Sequence, residues 1–189
     1  MANETLEILK LLITKKDEPL SIRKISQIRD INYKSAYNAL HQLEKKGLAK
    51  LQRVGNTIAC SFTSLFDDLV FHAEHMRRDE ILKNKDFEVI RNRLASLHFP
   101  FIALLFGSHA KGTSGRHSDI DILTISGDQK EITATLSLLP NKIHQTSVTY
   151  EEFITMAKSR EFSVVNEAIK RNVILIGIEE YYRLLHNAH

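Results

Sequence analysis

Between Phe101 and Leu123 the chain reads FIALLFGSHAKGTSGRHSDIDIL, two apolar runs of strand length joined through a glycine-serine turn, with paired aspartates opening the second run. Phe101 to Phe106 is continuously apolar, and Ser118 to Ile125 alternates acid with aliphatic, both strand patterns. Side chains at i and i+2 of a strand share a face, so Asp119 and Asp121 project together while Ile120 and Ile122 pack the other way. Two carboxylates about 7 Å apart along a strand converge on one hydrated divalent cation, which keeps places for phosphate oxygens. The turn suits phosphate too. Gly107 permits a tight bend and close backbone approach, and Ser108 offers a hydroxyl and an N–H at the start of a short helix. Lys111 and Arg116, in the same connection, are placed to neutralise a triphosphate. The plain alternative is a surface turn leading into a polar edge strand. It leaves two same-face acids repelling each other with no cation between them, at the mouth of a strand that Ile122 and Leu123 continue into a core.

Written as spacing, the pattern is Gly-Ser, ten residues, Asp, any residue, Asp. It resembles the signature of the nucleotidyltransferase superfamily of DNA polymerase beta, in its minimal single-domain form. The resemblance implies an α/β domain around a small mixed sheet, with Mg2+ or Mn2+ as cofactor and ATP or another NTP as substrate. Asp119 and Asp121 map onto the first two catalytic, metal-holding acids; Gly107, Ser108, Lys111 and Arg116 map onto the nucleotide site. In such proteins a third carboxylate stands on the next strand. The aligned segment, Ile143 to Thr149, carries no Asp or Glu, and Thr146 is aligned with the missing acid. Glu151 and Glu152 follow closely but open a helix, where first-turn acids serve the dipole. Nucleotide binding is therefore the firmer expectation and turnover the weaker one.

Charge separates the first third of the chain from the rest. Residues 1–60 hold 11 Lys or Arg against 6 Asp or Glu, whereas residues 61–189 hold 15 against 17. A polyanion partner belongs to the basic end. There the apolar periodicity and the capping residues Ser21 and Asn32 predict three helices, the first capped by Asn3, the third ending at Gly47. LAKLQRV and TIACSFT around Gly55-Asn56 predict a tight hairpin. Three helices followed by a hairpin resemble the winged helix-turn-helix domain of prokaryotic regulators. That resemblance implies DNA contacts from Tyr33, Lys34, Ser35, Tyr37, Asn38, His41 and Gln42 on the third helix, and from Arg53 and Asn56 on the wing. Lys34 and Arg53 suit phosphate; Asn38 and Gln42 suit base edges. Winged helices also serve as protein-binding modules.

The expected organisation is α+β: a winged helix-turn-helix domain at 1–63, a helical linker at 64–98 and a nucleotidyltransferase-like domain at 99–189. The linker has neither Gly nor Pro. Its His72, His75, Arg77 and Arg78 read as solvated helix decoration, and its Leu65, Phe66, Leu69 and Phe71 as an apolar surface for pairing two protomers as a homodimer. Tyr181 and Tyr182 read as core. The single Cys60 excludes an internal disulfide and suits a small apolar filler. No apolar run reaches membrane-spanning length and no basic leader opens the chain, so no membrane partner and a cytoplasmic location are expected.

Minimal members of the superfamily are often antitoxins that transfer AMP to a tyrosine of a small helical ribonuclease toxin. The first functional reading is thus a nucleotidyltransferase fused to a DNA-binding domain, antitoxin-like and self-repressing. The alternative is a transcriptional regulator whose degenerate transferase domain only senses a nucleotide. Small-molecule modification, as by aminoglycoside nucleotidyltransferases, shares the motif but lacks a visible substrate domain here.

Overall fold

A computed structural model describes residues 2–115, 118–159 and 163–188. The chain divides into two compact units, Met1–Met76 and Arg77–His189. Among the described residues no helix is long and apolar enough to cross a membrane.

The N-terminal unit runs α1 (Ala2–Thr14), β1 (Leu20–Ser21), α2 (Ile22–Arg29), α3 (Tyr33–Lys45), β2 (Ala49–Val54) and β3 (Thr57–Phe62). Helix α1 already includes Asn3, so that residue is not its cap. The other two caps behave as their side chains dictate: Ser21 Oγ accepts from the Lys24 N–H at 3.1 Å and Asn32 Oδ1 from the Ser35 N–H at 2.8 Å, each satisfying a free amide of a first turn. Helix α3 stops where Gly47 takes φ +73°, and the Leu48 N–H returns to the Leu43 carbonyl. Val54 pairs with Thr57, so Gly55 and Asn56 alone make the hairpin turn. One pairing is not foreseen from periodicity: the two residues of β1 join β3, giving a sheet of order β1-β3-β2. Ile8, Leu9, Ile25, Leu40, Leu43 and Cys60 are fully buried between helices and sheet.

The expected helical linker forms α4 (Asp68–Ile81) and α5 (Lys85–Ala95), and the boundary between the units falls inside α4. Its later part packs on the C-terminal unit: Phe87, Ile90 and Leu94 of α5 belong to that unit's core. Arg77 is not solvated decoration: it is buried, and its guanidinium donates to the Asn172 carbonyl. Arg78 is held below the usual arginine range, first by burial and then by the Arg91 guanidinium. Of the four apolar residues expected on a dimer surface, Phe71 is buried, Leu69 is half-buried, and Leu65 and Phe66 stay 41% and 43% exposed.

The C-terminal unit continues with β4 (Ile102–Phe106), α6 (Gly107–Lys111), β5 (Ile120–Ile125), α7 (Lys130–Ser137), β6 (Ile143–Val148), α8 (Tyr150–Lys158), α9 (Val164–Lys170), β7 (Val173–Ile176) and α10 (Ile178–Ala188). The four strands lie in the order β6-β5-β4-β7; β4 is antiparallel to both neighbours and β5 is parallel to β6. Such a sheet has two faces to cover. Ala103, Leu105, Ile120 and Ile122 meet α5 and α7 on one face, while α9 and α10 pack on β4 from the other. Tyr181 and Tyr182 are buried, in ring contact with each other at 5.4 Å, and Tyr181 meets Phe153 at 6.3 Å. They are core, as expected of aromatic residues on an amphipathic helix. Glu152 closes a reciprocal cap with Thr149 at the start of α8, which accounts for its place in the sequence.

Candidate nucleotide site

The two halves of the motif meet at one end of the β4–β5 pair. Register places Phe106 opposite Asp121, so Gly107 leaves β4 beside that carboxylate. A Cβ on Gly107 would lie 2.1 Å from Asp121 Oδ2, and the residue also holds φ +67°. Both facts require glycine: a side chain would strain the backbone and expel the acid. Helix α6 follows at once and ends at Gly112, whose φ is +70°. The described residues Gly115 and Ser118, on the way back to β5, are held by hydrogen bonds. His109 Nε2 lies 3.3 Å from the Ser118 carbonyl and its ring stands edge-on to Phe87 at 5.3 Å. Ser118 Oγ accepts from the Gly115 N–H at 2.9 Å. Ser108 and the aspartates are thereby held at the same end of the sheet.

Asp119 and Asp121 alternate with buried Ile120 and Ile122, on the face opposite the α5/α7 core. They remain 39% and 26% exposed, enough to meet a ligand and too little to be wholly solvated. Lys111 does not lie free for a triphosphate: its Nζ is 2.9 Å from Glu167 Oε1 on α9. Arg116, the other expected cation, lies outside the described residues.

Strand β6 differs from the expectation drawn for it. The residue paired with Asp121 is His144, and Thr146 pairs one step deeper, with Leu123. His144 Nδ1 lies 3.4 Å from Asp121 Oδ1, and Lys142 Nζ lies 2.9 Å from Asp119 Oδ1. Among the described residues there is no group of three or more His, Cys, Asp or Glu able to hold a metal ion. The donor set fits one hydrated divalent cation, with two carboxylates and room for phosphate oxygens. It does not fit a second, which needs another acid. Lys142, His144 and Glu167 were all missed in the sequence. The first two had a signal: they alternate at i, i+2 on the strand after the aspartates, with the same two-residue period.

Residues 88–181 match the polymerase beta nucleotidyltransferase family. The match begins inside α5 and ends in α10, so it takes in the whole four-stranded sheet, α6 to α9, and part of α5 and α10. It supports nucleotidyl transfer as the activity class of this nucleotidyltransferase-like unit. No curated protein and no solved structure matches the chain.

In the N-terminal unit the expected DNA-facing residues fall into two groups. Tyr33, Tyr37 and His41 form a ridge along α3, with rings 6.4 and 4.2 Å apart. Tyr33 also lines a groove of about 480 Å3 with Arg53 and Asn56 of the hairpin, and with Arg23, a cation that sequence reasoning missed. Ser35, Asn38 and Gln42 lie on the α1 side, around a hollow that Glu4 also lines. Gln42 Oε1 accepts from Thr5 Oγ1 at 3.3 Å. Lys34 is exposed. The structure thus brings Tyr33 to Arg53 and leaves the Asn38 and Gln42 amides apart from them.

Proposed function

We propose that the C-terminal unit binds a nucleoside triphosphate, ATP in the first instance, and transfers its nucleotidyl group to a hydroxyl acceptor, with Asp119 and Asp121 holding Mg2+ or Mn2+. The observation that carries the reading is the contact between Gly107 and Asp121, in which a missing Cβ makes room for a carboxylate. A divalent ion there, when bound, offsets charge on the phosphate tail. The protein's own part is positioning. Gly107 and Ser108 present backbone and hydroxyl to the phosphates, His109 ties α6 to Ser118 and Phe87, and Lys111 reaches phosphate only by leaving Glu167. In keeping with the minimal, antitoxin-like members it resembles, the acceptor is a protein hydroxyl, on a small helical toxin.

The N-terminal unit is proposed to be a winged helix that binds DNA and couples the enzyme to transcription. Its support is the basic excess of residues 1–60, the helix-helix-hairpin order, and the groove shared by Tyr33, Arg23 and Arg53. Leu65 and Phe66 offer an apolar edge for a homodimer on a symmetric DNA site. The proposed location is the cytoplasm.

A second reading keeps nucleotide binding and DNA binding but drops the transfer. It is favoured by Lys142 and His144 standing beside the aspartates while β6 brings no carboxylate to them. Incubation with labelled ATP, Mg2+ and candidate acceptors decides. Pyrophosphate release that disappears in Asp119→Ala supports transfer; ATP binding with no release leaves a nucleotide-responsive regulator.

A further inference from the structure

We propose that Lys142 is a built-in counter-cation of the aspartate pair, limiting the site to one divalent ion and keeping its affinity for that ion low. The inference rests on the reading of Asp119 and Asp121 as the metal-holding acids. It concerns what the neighbouring strand does to them.

The backbone fixes where Lys142 stands. The Ile120 N–H donates to the Lys142 carbonyl at 2.9 Å, and the parallel register then runs Ile120 to Ile143 and Asp121 to His144. Ile143 packs with the α5/α7 core, so the residues on either side of it, Lys142 and His144, turn to the aspartate face. Among the described residues each aspartate therefore has a basic neighbour: Lys142 Nζ at 2.9 Å from Asp119 Oδ1, His144 Nδ1 at 3.4 Å from Asp121 Oδ1. No carboxylate in β6 counters them.

An ammonium in contact with Asp119 competes with any cation for the same oxygen. Moreover, it repels a divalent ion seated between the two carboxylates, and a second ion more strongly still. The Lys142 side chain is 83% exposed. An exposed pair of this kind holds its partner weakly and is readily displaced, so the lysine lowers occupancy rather than closing the site. Its stem lets the charge move off into water when phosphate and metal arrive together. Coupling of metal entry to nucleotide entry follows: the triphosphate brings the negative charge that the third carboxylate does not.

The test is direct binding of Mn2+ at low salt, by paramagnetic resonance of the free ion and by calorimetry, to the full chain and to Lys142→Ala and Lys142→Asp. The wild-type chain takes a single ion; Lys142→Ala takes it about 3- to 10-fold more tightly, a change suited to one unit charge at close range in a partly solvated site. Lys142→Asp binds tighter again and admits a second ion. In high salt these differences contract, because the charges are exposed. Two ions bound by the wild type, or unchanged or weaker Mn2+ binding in Lys142→Ala, overturns the proposal. If that failure comes while ATP binding still needs Asp121, only the role of Lys142 is lost. If Asp121→Asn binds Mn2+ and ATP as the wild type does, or no chain binds either, the site reading falls and the counter-cation role with it.

Discussion

The two units of this protein carry their candidate residues in opposite ways. In the C-terminal unit Asp119, Asp121 and Gly107 sit on or beside paired strands, and the register that buries Ile120 and Ile122 also sets where the acids point. In the N-terminal unit Tyr33, Asn38, Gln42 and Arg53 lie on a helix surface and a hairpin tip, exposed, with no core contact choosing among them. A motif written on strands comes with its geometry, whereas residues spread along a helix acquire theirs from the neighbours that flank each side. That is why Gly107, Asp119 and Asp121 meet at one end of a sheet while the second set divides into a Tyr33–Arg53 groove and an Asn38–Gln42 hollow beside Glu4.

The sharpest way to break this contrast is at Gly107. Gly107→Ala is expected to lower ATP affinity by about tenfold or more, through displacement of the Asp121 carboxylate and the charge-assisted contacts it makes. Gly112→Ala meets nothing within 4 Å and has only its φ of +70° to strain against. It should cost about 1 kcal/mol of stability and leave ATP binding unchanged, as calorimetry and urea unfolding would show. Equal loss of binding in both variants would mean that the Gly107–Asp121 contact is not what shapes the site.

Next in size is the division of the proposed DNA surface. Arg53→Ala should weaken DNA binding and reduce the slope of log K against log salt by about one. Asn38→Ala and Gln42→Ala, on the side that Glu4 occupies, should alter affinity less and leave the slope alone. Fluorescence anisotropy across a salt series measures all three, and a larger effect from the amides would reverse the assignment. Smaller again are the caps, one in each unit. Asn32→Ala and Thr149→Ala should each cost about 1 kcal/mol in urea unfolding, since both accept a first-turn N–H.

Most of the secondary structure was legible because it follows from local chemistry: Ser21 and Asn32 as caps, Gly47 as a stop, Gly55-Asn56 as a turn, Glu151 and Glu152 as first-turn acids of a helix. What was not legible depended on partners distant in the chain. The two-residue β1 has no periodicity to reveal it and exists only through Cys60 and Ala59. Arg77 looks like any surface arginine until the Asn172 carbonyl meets it 95 positions on. The site shows the same rule. Its acids and glycine were visible in one contiguous motif, while Lys142 and His144 became part of it only when the parallel register of β5 and β6 was known.

A separate, pH-dependent effect concerns Cys60, which is buried in the N-terminal unit and whose thiol is pushed from 9.0 up to about 11, first by burial and then by the Glu44 carboxylate. A group with a raised folded-state value contributes stability that is complete below its unfolded value and is lost as pH climbs. The loss should therefore fall between about pH 9 and 11. Urea midpoints of the wild type and Cys60→Ala, compared at pH 8 and pH 10.5, should show a steeper decline in the wild type. Thiol labelling at pH 8 should be slow until the chain unfolds.

The central claim is that the phosphate tail of a nucleotide is held between the Gly107–Ser108 turn and the two aspartates. Calorimetric titration of ATP with Mg2+ into the wild-type chain and into Asp121→Asn addresses it most directly. Saturable binding in the wild type, lost in the variant while its fold is retained by circular dichroism, is the outcome expected. Equal binding in the two, or none in the wild type, would contradict it.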